Sequence, residues 1–523
     1  MSVDVLLHGG WVVDGTGTPP FRADVVIDGG RIRDVGYFPA GEAVEAAESV
    51  DCSGRYLLPG LIDAHSHADS AVLQADAALA LLRQGVTTVV AGQDGVSFAP
   101  GDGGYGTEYF GALNGVLPSY SGGGVAALLA GYAGATPVNV AYLVPHGTVR
   151  HEVMGYDERE ATADELARMV ALVQQGLDEG AVGLSTGLDY VPGRFAGVPE
   201  FVALCRPVAA AGGLYVSHTR GYETRASIGV GEVREIARGS GVISHISHYH
   251  GPAESLAGLI DESRAGGVDV TFDAYPYRAG FTLLAMPILP ATMMRSGLAA
   301  AAAQLADEKV RAELVRDYVP TIENQPSLGP GWPERVRIAH VGAAEYAWVE
   351  GLTLAEAAAR AEVSPGELAY RMMAAARLAV SAVMTLPGRS VEELRALLRH
   401  EAHMGGSDGI FVGTHPHPRA YGTFARYLGR HTRELGDYTW GGIAAHLAGH
   451  PARRYGLRRR GLVVPDYAAD VIVVDPATVA DRATYDEPRL PAVGIDDVLV
   501  NGEIVLRDGK LSGTNSGVGL RRG

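Results

Sequence analysis

Between residues 57 and 272, short apolar runs recur at 57–62, 87–91, 138–144, 181–184, 214–216, 242–244 and 268–272. Helical stretches such as 161–179 fall between them, and another follows at 352–361. Strands this uniformly apolar must be covered on both faces, and strands alternating with helices pair in parallel. About eight such units in roughly 400 residues suggest a (β/α)8 barrel with insertions. Residues 281–340 are too long for a plain connection, and an Ala-rich helix over 298–318 is expected to form an inserted lid or subdomain. The glycine-rich stretch 101–124 reads as a mobile loop.

The two ends of the chain read differently. Residues 3–7, 11–13, 24–27 and 31–35 are short strands, punctuated by Gly9-Gly10, Gly15-Thr16-Gly17 and Asp28-Gly29-Gly30. Residues 470–474 and 498–506 are strands as well, with a hairpin signal at Asn501-Gly502. Both ends are expected to join in one small β-sandwich. The expected division assigns residues 1–57 and 456–523 to the sandwich and 58–455 to the barrel, with 281–340 inserted.

Barrel enzymes carry their chemistry at the C-terminal ends of the strands, and here those ends are polar. The first apolar run leads through Pro59-Gly60 to His65 and His67, whose side chains share a face if the strand continues. The second leads to Gln93-Asp94-Gly95, the fifth to His218, the sixth to His245, and a late strand, 403–408, to Asp408. Four histidines and two carboxylates at the strand ends of one barrel can converge on one or two divalent metals. Any single histidine of the set could instead be a buried one bonded to backbone.

These residues resemble the amidohydrolase superfamily. Longer stretches are more specific: His146-Gly147-Thr148-Val149-Arg150, Gly183-Leu184-Ser185-Thr186-Gly187-Leu188, Asp273-Ala274-Tyr275-Pro276-Tyr277 and His417-Pro418-Arg419-Ala420-Tyr421-Gly422-Thr423-Phe424. Together they resemble the N-acyl-D-amino-acid deacylase (D-aminoacylase) branch over nearly the whole chain. The resemblance implies that His65 and His67 hold a weak or optional metal with Asp408 nearby, and that His218 and His245 hold the tight one. It implies that Asp408 takes a proton from metal-activated water and returns it to the leaving nitrogen, and that Arg419 and Tyr277 hold a substrate carboxylate. Tyr190 and Arg194, after the Gly187 turn, are further candidates for the pocket.

Two positions depart from the branch. Where it has Asn-Cys-Gly, with a thiolate ligand, this chain has Gln93-Asp94-Gly95. The only lysines, Lys309 and Lys510, are at no expected barrel strand end, so a carbamylated lysine cannot bridge two metals. Asp94 is the remaining candidate for a bridging or single ligand; its alternative role is to cap the following helix. Oxygen in place of sulfur moves the site from zinc toward manganese, cobalt or iron. The second departure is Ser247, standing where the branch has a substrate-binding lysine two residues after the histidine taken as His245. His248 could stand in for that cation, although the preferred reading makes it a loop histidine at the surface.

Composition narrows the rest. A net charge of −17 argues against a nucleic-acid or anionic-membrane surface. Two cysteines, Cys52 and Cys205, argue against a disulfide framework. There is no basic, apolar leader and no apolar run of about 18 residues, so a cytoplasmic protein acting on a small-molecule amide is expected. The favoured activity is zinc-dependent hydrolysis of N-acyl-D-amino acids or related amides. The alternatives are attack on another C–N bond, such as a cyclic amide or a specialised tailoring reaction, and a non-catalytic descendant that binds a ligand.

Overall fold

The computed structural model describes residues 3–37, 44–325 and 328–522. Its centre is an eight-stranded parallel barrel: β1 (Leu61–Asp63), β2 (Val86–Ala91), β3 (Asn139–Pro145), β4 (Gly183–Gly187), β5 (Leu214–His218), β6 (Ile243–Ile246), β7 (Val270–Ala274) and β8 (His403–Gly405). Strands β2 to β5 are buried at every residue, as their apolar runs require. Alternation divides their side chains. Val90, Leu143, Leu214, Val216 and Met404 fill the barrel interior. Val89, Tyr142, Leu184, Tyr215 and Phe272 instead join the apolar layer shared with the surrounding helices.

The barrel closes through the extensions of its first and last strands. Ala64 N donates to Gly405 O at 3.1 Å, Asp408 N to His65 O at 2.8 Å and His67 N to Gly409 O at 3.0 Å. The buried carboxylate of Asp63 reinforces this seam by accepting from Ser407 N at 2.8 Å and His65 N at 3.3 Å.

Both chain ends enter the flanking β-sandwich. One sheet orders Arg31–Gly36, Asp24–Asp28, Val3–His8 and Ala46–Asp51. The other carries Ile495–Val500 and Val471–Val474 beside Tyr56–Pro59 and Trp11–Val12. Val5, Leu7, Val25, Leu57, Val471 and Leu499 form the apolar filling between the sheets.

The insertion between β7 and β8 extends further than the expected 281–340. Its antiparallel sheet pairs Ala279–Leu283 and Val336–Val341 with Val380–Thr385. It has its own apolar core, including Leu284, Trp332, Tyr370 and Met372. The single helix expected over 298–318 is two, Leu298–Ala306 and Glu308–Asp317, because Asp307 leaves helical geometry and caps the second through Lys309 N. The glycine-rich stretch 101–124 is also more ordered than expected: Gly104–Asn114 is a helix whose last residue reaches the centre of the molecule.

Gly92 turns the chain out of β2 with φ of 74°, and a Cβ there would stand 2.3 Å from Leu143 O. Gly92→Ala combines left-handed strain with a backbone clash. It is expected to lose on the order of 1–3 kcal/mol of stability, measured as a lower urea midpoint.

Candidate metal centre and substrate cavity

Six side chains from five strand ends face one another at the C-terminal mouth. Asp94 is in the middle, placed there by a left-handed turn at φ of 55°. Its Oδ1 is 3.6 Å from His65 Nε2; its Oδ2 is 3.7 Å from His67 Nε2, 3.4 Å from His218 Nδ1 and 3.7 Å from His248 Nε2. Asp408 Oδ1 lies 3.3 Å from His67 Nε2 and 3.7 Å from His65 Nε2. Most of these separations are too long for good hydrogen bonds. His65 Nε2, Asp94 Oδ1 and His218 Nδ1 are buried without a hydrogen-bond partner.

Such a spacing suits a cation. Two ligand atoms each ~2.0–2.2 Å from one tetrahedral ion stand roughly 3.3–3.6 Å apart. Two overlapping groups meet the requirement among the described residues: His65, His67 and Asp408, and His65, Asp94 and His248, with donor atoms within 4.8 Å of one another in each.

Outer partners orient the imidazoles. Asn114 Oδ1 is 2.7 Å from His67 Nδ1, Asp273 Oδ2 is 3.3 Å from His65 Nδ1, and Asp189 Oδ2 is 3.2 Å from His218 Nε2. Each leaves the other ring nitrogen turned to the centre. The field is strongly anionic. Burial opposes charge on His67 and His218, but Asp408 and Asp94 around the first, and Asp94 and Asp189 around the second, outweigh it and push both up to about 10. Burial likewise opposes charge on Asp94, and His65 and His218 outweigh it, holding its carboxyl well below the usual range. Asp408 is also held low: Arg419 Nη2 donates to its Oδ2 at 2.7 Å and, with His67, overcomes the burial cost.

The centre opens into a cavity of about 760 Å³. Leu113, Tyr190, Phe281, Met286 and Ile410 give it apolar walls, and Arg220, Arg389 and His250 bring positive or titratable groups. Tyr190 packs its ring 5.1 Å from that of His218, and its hydroxyl meets Thr282 Oγ1 at 2.9 Å.

A family model described as "Amidohydrolase family" matches residues 48–506. The chain belongs to the amidohydrolase family. It is 34% identical to N-acyl-D-glutamate deacylase of Alcaligenes xylosoxydans xylosoxydans, over 96% of this chain and 93% of that one. It is 32% identical to D-aminoacylase of the same organism, over 99% and 98%. A crystal structure of D-aminoacylase superposes with a TM-score of 0.83 at 31% identity, covering 99% of this chain and all of that one. N-acyl-D-glutamate deacylase from Bordetella bronchiseptica, complexed with zinc and a phosphonate inhibitor, gives 0.83 at 32% identity with full coverage of both.

In this amidohydrolase the structure gathers His65, His67, Asp94, His218 and Asp408 but not His245. In the β5–β6 register His245 pairs with Val216, and in β6–β7 with Thr271. It therefore occupies the interior layer below His218. Both of its ring nitrogens are taken, Nδ1 by Thr271 Oγ1 at 2.8 Å and Nε2 by Asp273 Oδ2 at 3.0 Å. His248, expected at the surface, is buried and occupies the place at the centre. Ile246 carried the signal: it extends the apolar run past His245, so the strand end lies later.

Of the five residues named for the pocket, Tyr190 and Arg194 line the cavity and three do not. Ser247 is sealed behind the wall, with its Oγ buried and unpartnered. Tyr277 packs under the Arg426 guanidinium, 4.8 Å from its ring centre, outside the cavity. Arg419 is covered by Tyr275, whose ring centre is 4.5 Å away, and is engaged with Asp408. Asn114, Asp189 and Asp273 were not singled out, since their partners are distant in sequence. His146 and Arg150 both pair with the buried Glu200 and serve packing.

A lysine at position 247 would start from a fully buried site that offers the present Oγ no hydrogen-bond partner. Ser247→Lys is expected to lose on the order of several kcal/mol of stability, seen as a lower Tm, without improving kcat/KM for anionic substrates.

Proposed function

We propose that this chain is a metal-dependent hydrolase that cleaves the amide bond of N-acyl-D-amino acids or closely related amides. The observation that carries the reading is a single constellation: an ionised carboxylate, Asp408, pinned by Arg419 beside four imidazoles and Asp94 at the floor of an apolar-walled cavity. The activities of the full-length relatives support it.

The residues that would hold one or two divalent ions are His65, His67, Asp94, His218 and His248, with Asp408 adjoining. When bound, such an ion supplies Lewis acidity, lowering the pKa of water and polarising the amide carbonyl. Asp408 supplies the proton transfer. Arg419 occupies its Oδ2, so Oδ1 is the oxygen that takes the proton of the attacking water and passes it to the leaving nitrogen. Tyr190, Phe281 and Ile410 exclude bulk water and strengthen the electrostatics of the centre. A carboxylate rather than a thiolate at position 94 makes the donor set harder, so manganese, cobalt and iron(II) compete better with zinc.

No helix among the described residues is long and apolar enough to cross a membrane. A cytoplasmic location and a small-molecule substrate, with no nucleic-acid partner, complete the proposal.

The test pairs metal content with hydrolysis of N-acyl-D-amino acids by protein purified without chelator. At least one divalent ion per chain is expected; Asp94→Ala should lose it, while Asp94→Cys retains part. Full occupancy and activity in Asp94→Ala would sink the reading. The metal-free imidazoles of His67 and His218 carry protons below about 10, and ligation requires them neutral. Metal binding at pH 7 must therefore release protons, and affinity must rise with pH. Calorimetric titration of zinc into chelator-treated protein, in buffers of different ionisation enthalpy, measures both.

Asp408→Asn cannot accept the proton. A fall of about 10²- to 10⁴-fold in kcat is expected, with an unchanged circular-dichroism spectrum.

A further inference from the structure

We propose that Arg389 is the specificity-determining residue that receives a carboxylate of the substrate. The inference rests on the hydrolase reading above and assigns the residue of this chain that holds the carboxylate such substrates carry.

Arg389 follows the inserted strand Val380–Thr385 and lines the main cavity together with Tyr275, Phe281 and His250. Its Nε and Nη2 are buried and have no hydrogen-bond partner; Nη1 reaches the carbonyl of Arg278 at a long 3.4 Å, and the Tyr275 side chain adjoins the group. It makes no ion pair among the described residues, whereas Arg194, Arg220 and Arg295 on the same wall each face a carboxylate. Glu223 is the nearby carboxylate but lies beyond ion-pair distance, and buried guanidinium nitrogens without a paired carboxylate are costly. Two free N–H groups in a planar fork are the geometry that a carboxylate satisfies with both oxygens.

The other cations expected to do this work are unavailable. Arg419 already neutralises Asp408, and position 247 is sealed from the cavity. His250 lines the cavity but gives its Nδ1 to His248 O at 2.7 Å and stacks on Tyr222, with ring centres 4.6 Å apart. Arg225 on the same wall is also without an ion pair but is exposed; Arg389 is the unpaired guanidinium whose nitrogens are buried, and it is supplied by the insertion rather than by the barrel.

Two carboxylates could satisfy it, the α-carboxylate or one on the side chain, and matched substrates separate them. The metal-loaded wild type, Arg389→Gln and Arg389→Lys are compared by kcat/KM on two pairs: N-acetyl-D-leucine with N-acetyl-D-leucinamide, and N-acetyl-D-glutamate with N-acetyl-D-glutamine. A charge-assisted hydrogen bond is worth roughly 1.5–3 kcal/mol, or about 10- to 150-fold. The acid-to-amide ratio should fall by that factor in Arg389→Gln, for the first pair if the α-carboxylate is held and for the second if the side chain is. Arg389→Lys keeps the charge without the fork and should fall between. If Arg389→Gln does not fold, a several-fold fall in Arg389→Lys alone carries the same meaning. Unchanged ratios in both pairs overturn the inference and leave the hydrolase reading intact. If the wild type hydrolyses none of the four, the same compounds are titrated calorimetrically. Preference for an acid that Arg389→Gln abolishes then upholds the carboxylate site while the hydrolase reading falls; no preference in the wild type overturns the site as well.

Discussion

The seam between the first and eighth strands is the constraint on which the molecule depends. Parallel strands close into a barrel only if the last pairs with the first. Here the pairing runs past the regular strands: His65 O accepts from Asp408 N, and Gly409 O accepts from His67 N. The bonds that close the barrel are therefore the ones that set Asp408 beside His65 and His67. The buried carboxylate of Asp63 ties the two extensions together. Burial pushes its pKa up to about 7 even though Ser407 and His65 donate to it.

Around that seam the site is arranged by charge balance. Asp94 and Asp408 hold the inner anionic positions, the imidazoles surround them, and Asp189 and Asp273 stand behind. An anionic cage that draws protons onto its histidines draws a divalent cation more strongly, because the cation delivers two charges to one point. The Asp94 carboxylate brings negative charge to the centre and turns one oxygen to His65 and the other to His67, His218 and His248. Arg419 belongs to this balance, compensating Asp408, which explains why it lies behind the cavity wall.

The insertion has a separate task. Its strands carry Phe281, Thr282 and Met384 to the cavity wall, and the segment after them carries Arg389. The barrel contributes the reactive floor and the insertion much of the chamber above it. The metal-ligand candidates thus lie on the barrel, while the cavity wall is shared between barrel loops and the insertion.

The parallel barrel, the sandwich made from both ends, and the grouping of His65, His67, Asp94, His218 and Asp408 were all legible in the sequence. Apolar runs report burial on both faces, and a polar residue closing such a run reports the barrel mouth. His245 shows where this reasoning stops. Its run continues through Ile246, and whether a histidine lies at the mouth or one layer below depends on its pairing with Val216. Register of this kind is a relation between strands, so a run read by itself does not contain it. The same holds for Ser247, Tyr277 and Arg419, whose residue types suited a carboxylate but whose side chains are covered by neighbours. Asn114 lies far along the chain from the His67 it orients, on a helix expected to be a loop, and Arg389 is on a segment of the insertion. The sequence by itself determined the barrel and its reactive groups, because burial and periodicity are local properties. Which groups face the cavity was decided only by the tertiary structure, because facing depends on strand register and on what packs in front.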